Sequence, residues 1–369
     1  MQKVFNLGVI GGSIKSTIGQ THFISSKLDG KWKFISGVFS RNSKDNIKSA
    51  IKYGIDKKRI YKDIPIFLKK EKSKIDAILL LTDTPSHVKI LKKIFSQSIP
   101  VICEKPLFSN KNEVKKLEKF VKQKQFLRVT YNYSGYPLIR EIKKIIKKRK
   151  IGEIKQFNFE MIQDSFVGNI SKNIKPKKWR LKDGFIPNLS HDLGSHLIYL
   201  CFYLFDKFPT KVNAKYFSSL NFKNLIDNGY FWLNLNKKIY GKITLSKTIY
   251  GSRNDLILRI TGDKGSVLWK HTNPEQIIFT NEKGVNQILD RGSSVYEAKK
   301  NRYNRYKVGH PDGFLEAFAN IYGDIYEDLI DYKNGKKEKN FNDLKISKKI
   351  VNFFDKASYS NKYGKWINI

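Results

Sequence analysis

The run Ile75-Asp76-Ala77-Ile78-Leu79-Leu80-Leu81 is apolar at both alternating sets of positions. A strand of that composition is covered on both faces, which happens in parallel sheets wrapped by helices. It does not stand alone. Strand patterns recur at Val4–Ile10, Phe34–Phe39, Val101–Cys103 and Leu127–Tyr131. Helical patterns lie between them over Gln20–Leu28, Lys44–Tyr53, Ile64–Lys72, the stretch ending near Gln97, and Asn112–Lys124. Strands that alternate with helices join into a parallel sheet through right-handed crossovers. Residues 1–130 are therefore expected to form an α/β domain of the dinucleotide-binding, Rossmann type.

The rhythm changes after Asn132-Tyr133-Ser134-Gly135-Tyr136-Pro137. Leu138–Lys150 reads as an amphipathic helix stopped by Gly152, Ile154–Ile162 as an alternating strand, and residues 188–205 as an apolar helix. Strand patterns then follow one another at 211–219, 229–235, 239–249, 255–261 and 265–270, joined by short turns such as Asn236-Lys237-Lys238. Consecutive strands with short connections give a mostly antiparallel sheet. Residues 131–369 are thus expected to form an α+β domain for substrate binding and oligomerisation. A chain of 369 residues suits two domains of this size. Phe231, Leu233 and Leu235 are expected on a sheet face that a partner subunit covers, giving a homodimer or homotetramer.

The totals narrow the function classes. No apolar run approaches the ~20 residues of a membrane span, and Met1-Gln2-Lys3-Val4 leads directly into a strand pattern, so a cytoplasmic location without a membrane role is expected. The chain has two cysteines, Cys103 and Cys201, both in apolar segments, which excludes a disulfide framework and a cysteine-based zinc cluster. No metal is expected. The net charge of +38 suggests an anionic partner, yet it is made of 60 lysines and 11 arginines. Base readout and bidentate phosphate clamps favour arginine. The lysines are spread along the chain, with local clusters at 143–150 and 175–178, and the expectation is lysine-rich solvated surface with no specific nucleic-acid partner.

Four stretches carry chemistry. Gly11-Gly12-Ser13-Ile14-Lys15-Ser16-Thr17-Ile18-Gly19 is a glycine-rich turn between the first strand and its helix, suited to letting a pyrophosphate approach helix N-terminal amides. Its spacing is that of the usual dinucleotide fingerprint lengthened by about three residues. Ser40-Arg41-Asn42 ends the second strand, where an acidic residue would bind a ribose diol and an arginine a 2′-phosphate; Asp45 follows in the next turn. Val101-Ile102-Cys103-Glu104-Lys105-Pro106 presents Glu104 and Lys105 at a strand end, with Pro106 holding Lys105 out of helical conformation. Finally, Asp192 and His196 stand four apart on a helix and share a face. With an ordinary pKa of about 6.5, His196 is suited to moving a proton near neutrality. Taken singly, each stretch also fits an ordinary turn, surface pair or helix ion pair.

Together these motifs resemble the Gfo/Idh/MocA oxidoreductases, named for glucose-fructose oxidoreductase and inositol dehydrogenase, and the resemblance runs nearly end to end. It is closest to the longer sugar and cyclitol dehydrogenases, through Asn132–Pro137, Gln163-Asp164, Trp179-Arg180, Gly309-His310-Pro311-Asp312-Gly313 and Glu316-Ala317-Phe318-Ala319-Asn320. The resemblance implies a Rossmann domain, an open-sheet domain used for oligomerisation, and hydride transfer between a sugar, cyclitol or sugar-derivative hydroxyl and nicotinamide. Lys105, Asp192 and His196 match the family's catalytic positions. The implied cofactor contacts are Gly11, Gly12, Ser13, Thr17, Ile18, Ser40, Arg41, Thr84, Pro85, Glu104 and Lys105; the implied substrate contacts are Tyr133, Gln163, Arg180, Asp192, His196 and His310.

The chain departs from the family at Ser13 and Lys15, where relatives often carry glycine, at Lys89, where many have histidine, and at His191, where a small residue is usual. NAD and NADP both remain open, with Ser40 and Arg41 favouring NADP. On chemical grounds His196 is the general base and Lys105 the alkoxide stabiliser, with Asp192 orienting them; Lys105 as base requires a lowered pKa. Two other readings compete: a redox-neutral NAD-dependent glycosidase of the same fold, and a non-catalytic cofactor-binding sensor.

Overall fold

The computed structural model describes residues 3–121, 125–168, 178–236, 238–336 and 341–369. The lysines at 175 and 177, the last turn of the helix expected to reach Lys124, and Lys237 lie outside the described residues.

The chain opens with β1 (Phe5–Gly11), α1 (Thr17–Lys27), β2 (Trp32–Val38), α2 (Ser43–Lys52), α3 (Ile64–Glu71), β3 (Ala77–Leu81), α4 (Thr84–Phe95), β4 (Val101–Cys103), α5 (Lys111–Glu118) and β5 (Leu127–Val129). It continues with α6 (Pro137–Lys147), β6 (Ile154–Gln163), α7 (Ser195–Phe205), β7 (Lys211–Phe217), β8 (Asn228–Asn236), β9 (Ile239–Ser246), β10 (Asn254–Gly262), β11 (Gly265–Lys270), β12 (Asn273–Asn281) and β13 (Asn286–Leu289). The last elements are α8 (Phe314–Lys333), α9 (Leu344–Tyr363) and β14 (Ile367–Asn368).

Two compact units result: residues up to Gly135 with Gly313–Lys348, and Tyr136–Asp312 with Lys349–Ile369. This differs from the expected contiguous division at residue 130, and the reason is α8. Its residues Ile321, Tyr322, Ile325, Tyr326 and Leu329 recur at helical spacing and are buried in one core with Phe5, Leu7, Trp32 and Phe34 of β1 and β2. The Trp32 indole N–H donates to the Tyr322 carbonyl at 3.1 Å, and the Tyr326 hydroxyl donates to the Lys3 carbonyl at 2.7 Å. Two of the sequence motifs meet here. Asn320 of α8 donates to the Gly135 carbonyl at 2.9 Å, and a Cβ on Gly135 would lie 2.0 Å from the Ala317 carbonyl oxygen, so only glycine lets this turn lie against α8.

The first unit holds a five-stranded parallel sheet in the order β2-β1-β3-β4-β5. The five residues of β3, Ala77–Leu81, are all buried, as a central parallel strand requires. Strand ends are level across the sheet: Ile10 pairs with Val38, Gly11 with Leu81, Leu80 with Cys103, and Cys103 with Val129.

The second unit is built on a nine-stranded sheet, β13-β12-β11-β10-β6-β9-β8-β7-β14, in which β6 and β9 are parallel and the other neighbours antiparallel. Phe157 and Phe159 pack on Phe205 of α7, and Phe231 packs on Phe353 and Phe354 of α9. This corrects one expectation: Phe231, Leu233 and Leu235 are buried within this chain, on the helix-covered face. Strand alternation then sends Tyr230 and Trp232 to the other side. That open face carries Trp232 at 44% and Tyr240 at 56% exposure. Strands β12, β13 and β14 were not anticipated. β12 contains a proline and β13 is mostly exposed, so neither shows the alternation that a covered strand imprints.

Candidate active site

In the first unit the chain runs from β1 to β2 on one side and then to β3 on the other, so the strand order reverses between β1 and β3. Open α/β sheets bind ligands beyond the carboxyl ends of the strands at such a reversal. Every residue of this unit expected to touch cofactor stands at that edge: Gly11, Gly12, Ser13, Thr17 and Ile18 after β1, Ser40 and Arg41 after β2, Thr84 and Pro85 after β3, and Glu104 and Lys105 after β4.

The glycine-rich turn is shaped by close approach. Gly12 has φ +65°, and a Cβ on Gly19 would lie 2.4 Å from the Gly12 carbonyl oxygen, so α1 starts pressed against the turn. The Tyr53 hydroxyl donates to that same carbonyl at 2.8 Å. Ser16 caps α1 by accepting from the Gly19 N–H at 3.3 Å. Glycines at positions 11 and 12 let backbone approach closely at the start of this turn, and the N-terminus of α1 follows it, an arrangement that fits a pyrophosphate.

At the end of β2, Ser40 is half-buried and its hydroxyl accepts from the Asn42 N–H at 3.1 Å, while Arg41 is exposed. Asp45, the acid nearest this strand end in sequence, is held by Lys15 of the glycine-rich turn at 2.8 Å. At β3, Thr84 is buried and starts α4, with Pro85 in its first turn. His87 is buried, bonds the Thr82 carbonyl at 3.1 Å, and is pushed below its ordinary range by burial. It is packed into the fold rather than presented to solvent.

The carboxylate of Glu104 is buried beneath the edge. Its Oε1 accepts from the Thr130 hydroxyl at 2.7 Å and lies 3.2 Å from His22 Nε2. His22 Nδ1 lies 2.8 Å from the Tyr322 hydroxyl. Burial alone raises the Glu104 carboxyl, but the hydrogen bond and charge of His22, the Lys105 ammonium and the Thr130 bond outweigh it and hold the group below its ordinary value. Lys105 is half-buried and joined to Pro106 by a cis peptide bond. Tyr133 is buried in the short turn Asn132–Gly135.

In the second unit the helix expected over 188–205 is present, with Ser190–Gly194 forming one wide π-type turn inside it that runs straight on into α7. Such turns are frequent at functional sites. A Cβ on Gly194 would lie 2.4 Å from Phe354 and 3.0 Å from Leu245, so the turn is seated tightly under β9. Asp192 lies in this turn, and both its oxygens are engaged: Oδ2 by Lys247 Nζ at 2.7 Å and Oδ1 by Arg180 Nη1 at 3.2 Å. His196 is buried in the first turn of α7, and His191 is buried as well.

Gln163 ends β6 with its side-chain amide donating to Asn254 Oδ1 at 2.6 Å. His310 is exposed, and its carbonyl accepts from Arg291 at 2.8 Å. Among the described residues, no group of three or more His, Cys, Asp or Glu is placed to hold a metal ion, and no helix is long and apolar enough to cross a membrane.

Sequence reasoning missed His22, Thr130 and Tyr322 behind Glu104, and Lys247 on Asp192. His22 follows Gly19 by three residues, one turn of α1 along, which is the signal that it points the same way as the glycine contact. Lys247 carried no signal in a chain of 60 lysines.

A parallel sheet with a glycine cradle at its reversal point, followed by an open-sheet domain, defines a two-domain dinucleotide-binding oxidoreductase. Two family descriptions match: "Oxidoreductase family, NAD-binding Rossmann fold" over residues 5–133 and "Oxidoreductase family, C-terminal alpha/beta domain" over residues 143–343. The chain belongs to the Gfo/Idh/MocA oxidoreductase family. An uncharacterised oxidoreductase of Bacillus subtilis (strain 168), YfiI, is 24% identical over 357 residues, 93% of this chain and 90% of the relative. An inositol dehydrogenase homolog from Azotobacter vinelandii, solved with NAD+, shares the fold at 22% identity and TM-score 0.91 over 100% of this chain and 98% of its own. The same protein solved with NADH and myo-inositol gives TM-score 0.89, again at 22% identity over 100% of this chain and 98% of its own. A levoglucosan dehydrogenase, solved with NADH and L-sorbose, gives TM-score 0.84 at 18% identity over 100% of this chain and 99% of its own.

Proposed function

We propose that this oxidoreductase transfers hydride between a hydroxyl-bearing carbon of a sugar or cyclitol and a nicotinamide dinucleotide. The observation that carries the reading is the level carboxyl edge of the parallel sheet, which lines up the glycine turn, Ser40-Arg41, Thr84-Pro85 and Glu104-Lys105. The substrate class is supported by the fold shared with proteins solved with myo-inositol and with L-sorbose.

When bound, the nicotinamide supplies the hydride acceptor or donor. Gly11, Gly12 and the first turn of α1 hold the pyrophosphate, and residues after β3 and β4 line its path. His196 takes the hydroxyl proton as the alcohol is oxidised, and the Lys105 ammonium stabilises the oxygen on which negative charge develops. Asp192, fixed by Lys247 and Arg180, sets a carboxylate one turn before His196 and favours the imidazolium as it forms. Tyr133, Gln163, Arg180 and His310 contribute hydroxyl, amide and cationic contacts to the substrate.

NADP serves at least as well as NAD. Arg41 and Ser40 offer donors where a 2′-phosphate would sit. The one carboxylate nearby in sequence, Asp45, is already paired with Lys15 and repels that phosphate less.

The test is incubation with NAD and NADP against a panel of cyclitols, aldoses, anhydrosugars and nucleotide sugars, read as absorbance of the reduced cofactor. Net reduction with a free polyol is expected. Glycoside cleavage without net reduction would replace this reading with the redox-neutral one, and cofactor binding with neither outcome would leave a sensor.

A further inference from the structure

His22 is fully buried on α1, and both of its ring nitrogens are engaged. Burial drives the Tyr322 phenol far above its ordinary pKa, so a neutral hydroxyl faces Nδ1 at 2.8 Å. Glu104 is ionised and accepts from Nε2–H. The His22 ring thus bridges the Tyr322 hydroxyl at Nδ1 and Glu104 Oε1 at Nε2, with the Thr130 O–H donating to the same carboxylate oxygen. The Phe318 ring packs edge-on against the imidazole at 4.9 Å, so the ring has no room to turn.

We propose that His22 is a positioning residue for Lys105, acting through the Glu104 carboxylate. This rests on the reading of Lys105 given above. Without the Nε2–H donor, burial favours the neutral acid form of Glu104, and the anion adjacent to Lys105 is lost. An ammonium that loses an opposite charge gives up its proton more readily. His22 therefore biases Lys105 toward its cationic form, the form that stabilises an alkoxide.

Titratable groups around the Glu104 carboxylate come from every element packed on it: His22 from α1, His87 from α4, Cys103 and Lys105 from β4 and its end, and Tyr322 from α8. Burial pushes His87 down and Cys103 and Tyr322 up, so all three are neutral at pH 7 and leave the Glu104 carboxylate as the group that answers a change at His22.

The experiment is trace acetylation of the full-length protein across pH, with the Lys105 peptide quantified by mass spectrometry. Wild type is compared with His22→Leu, which removes both bonds, and with His22→Gln, whose amide offers a donor toward Glu104 and an acceptor toward Tyr322. The Lys105 midpoint is expected to fall by about one pH unit or more in His22→Leu, the range an opposite charge moves a neighbour, and to return toward wild type in His22→Gln. Should His22→Leu not fold, His22→Met fills the space without replacing either bond and is compared instead. An unchanged midpoint in the apolar variant, or equal displacement in the apolar and Gln variants, overturns the proposal. Acetylation needs no turnover, so a protein that reduces no cofactor with any polyol sinks the dehydrogenase reading while the labelling result still stands by itself.

Discussion

Arg291 is the residue whose removal should cost the second unit most. Its side chain is fully buried just past β13. The guanidinium pairs with Glu275 Oε2 of β12 at 2.7 Å and with Asp312 Oδ2 at 3.3 Å. It also donates to the Tyr303 carbonyl at 3.2 Å, Asn304 Oδ1 at 3.1 Å and the His310 carbonyl at 2.8 Å. One side chain thus pins the whole stretch from Tyr303 to Asp312, the loop that presents His310. Replacing it by methionine keeps roughly the volume and removes every bond. Asp312 is then a buried carboxylate without its guanidinium, and breaking a buried pair in this way costs about 3–5 kcal/mol.

At about 2–4 °C per kcal/mol for a unit of this size, the midpoint of its thermal transition should fall by about 6–20 °C. The assay is calorimetry together with urea unfolding followed by circular dichroism, with the two units' transitions separated where they do not coincide. Adding Asp312→Asn to Arg291→Met removes the buried charge that faced the guanidinium and should recover part of the loss. A single-variant cost under about 1 kcal/mol, or a double variant less stable than Arg291→Met alone, would refute the account.

Four further outcomes are expected. Lys105→Ala should keep cofactor binding and lower turnover by about a hundredfold or more, measured as initial rates of cofactor reduction; near-normal rates would remove Lys105 from the mechanism. Arg41→Ala should weaken NADP(H) about tenfold or more and leave NAD(H) nearly unchanged in fluorescence titrations, and equal weakening would show that the guanidinium does not serve the 2′ position. Lys247→Met should destabilise the protein by about 1.5–3 kcal/mol in urea melts, since it strips the closer and more buried cation from Asp192, whereas Arg180→Met, at a more exposed pair, should cost less. Trp232→Asp on the open face of the nine-stranded sheet should turn a dimer or tetramer into a monomer by light scattering; a wild type that is already monomeric at micromolar concentration would rule out that interface.

Much of the first unit was legible because its signals are local. A strand such as Ala77–Leu81 declares burial on both faces by composition alone, and five such runs separated by helices leave little choice but a parallel sheet. Residues at strand ends follow directly, which is why the edge carrying Gly11, Arg41, Thr84 and Lys105 is legible in the sequence. What lay beyond reach was pairing over distance. His22 is 82 positions from Glu104 and 300 from Tyr322, and nothing in a periodicity says that α8 returns to the first sheet. Which face of a two-sided strand is covered was equally hidden: Phe231, Leu233 and Leu235 alternate correctly, yet alternation does not say whether helices of the same chain or another copy lie above them.

The excess of lysine blurs one signal in this sequence and sharpens another. With 71 basic side chains against 33 acidic ones, a lysine near a functional stretch means little in sequence, since any stretch has one. A carboxylate is scarce, and one that is withdrawn from solvent in such a chain has been placed. Glu104 is buried under Lys105, Asp192 is held between Lys247 and Arg180, Asp45 is tied to Lys15 beside the glycine turn, and Asp312 is locked to Arg291 under the loop of His310. Each of these acids draws basic side chains out of many to the places where the family's motifs lie. In a strongly basic protein the acids are the better guide to the site, because the field of the surface lysines is screened by salt beyond about 10 Å while a buried pair is screened far less.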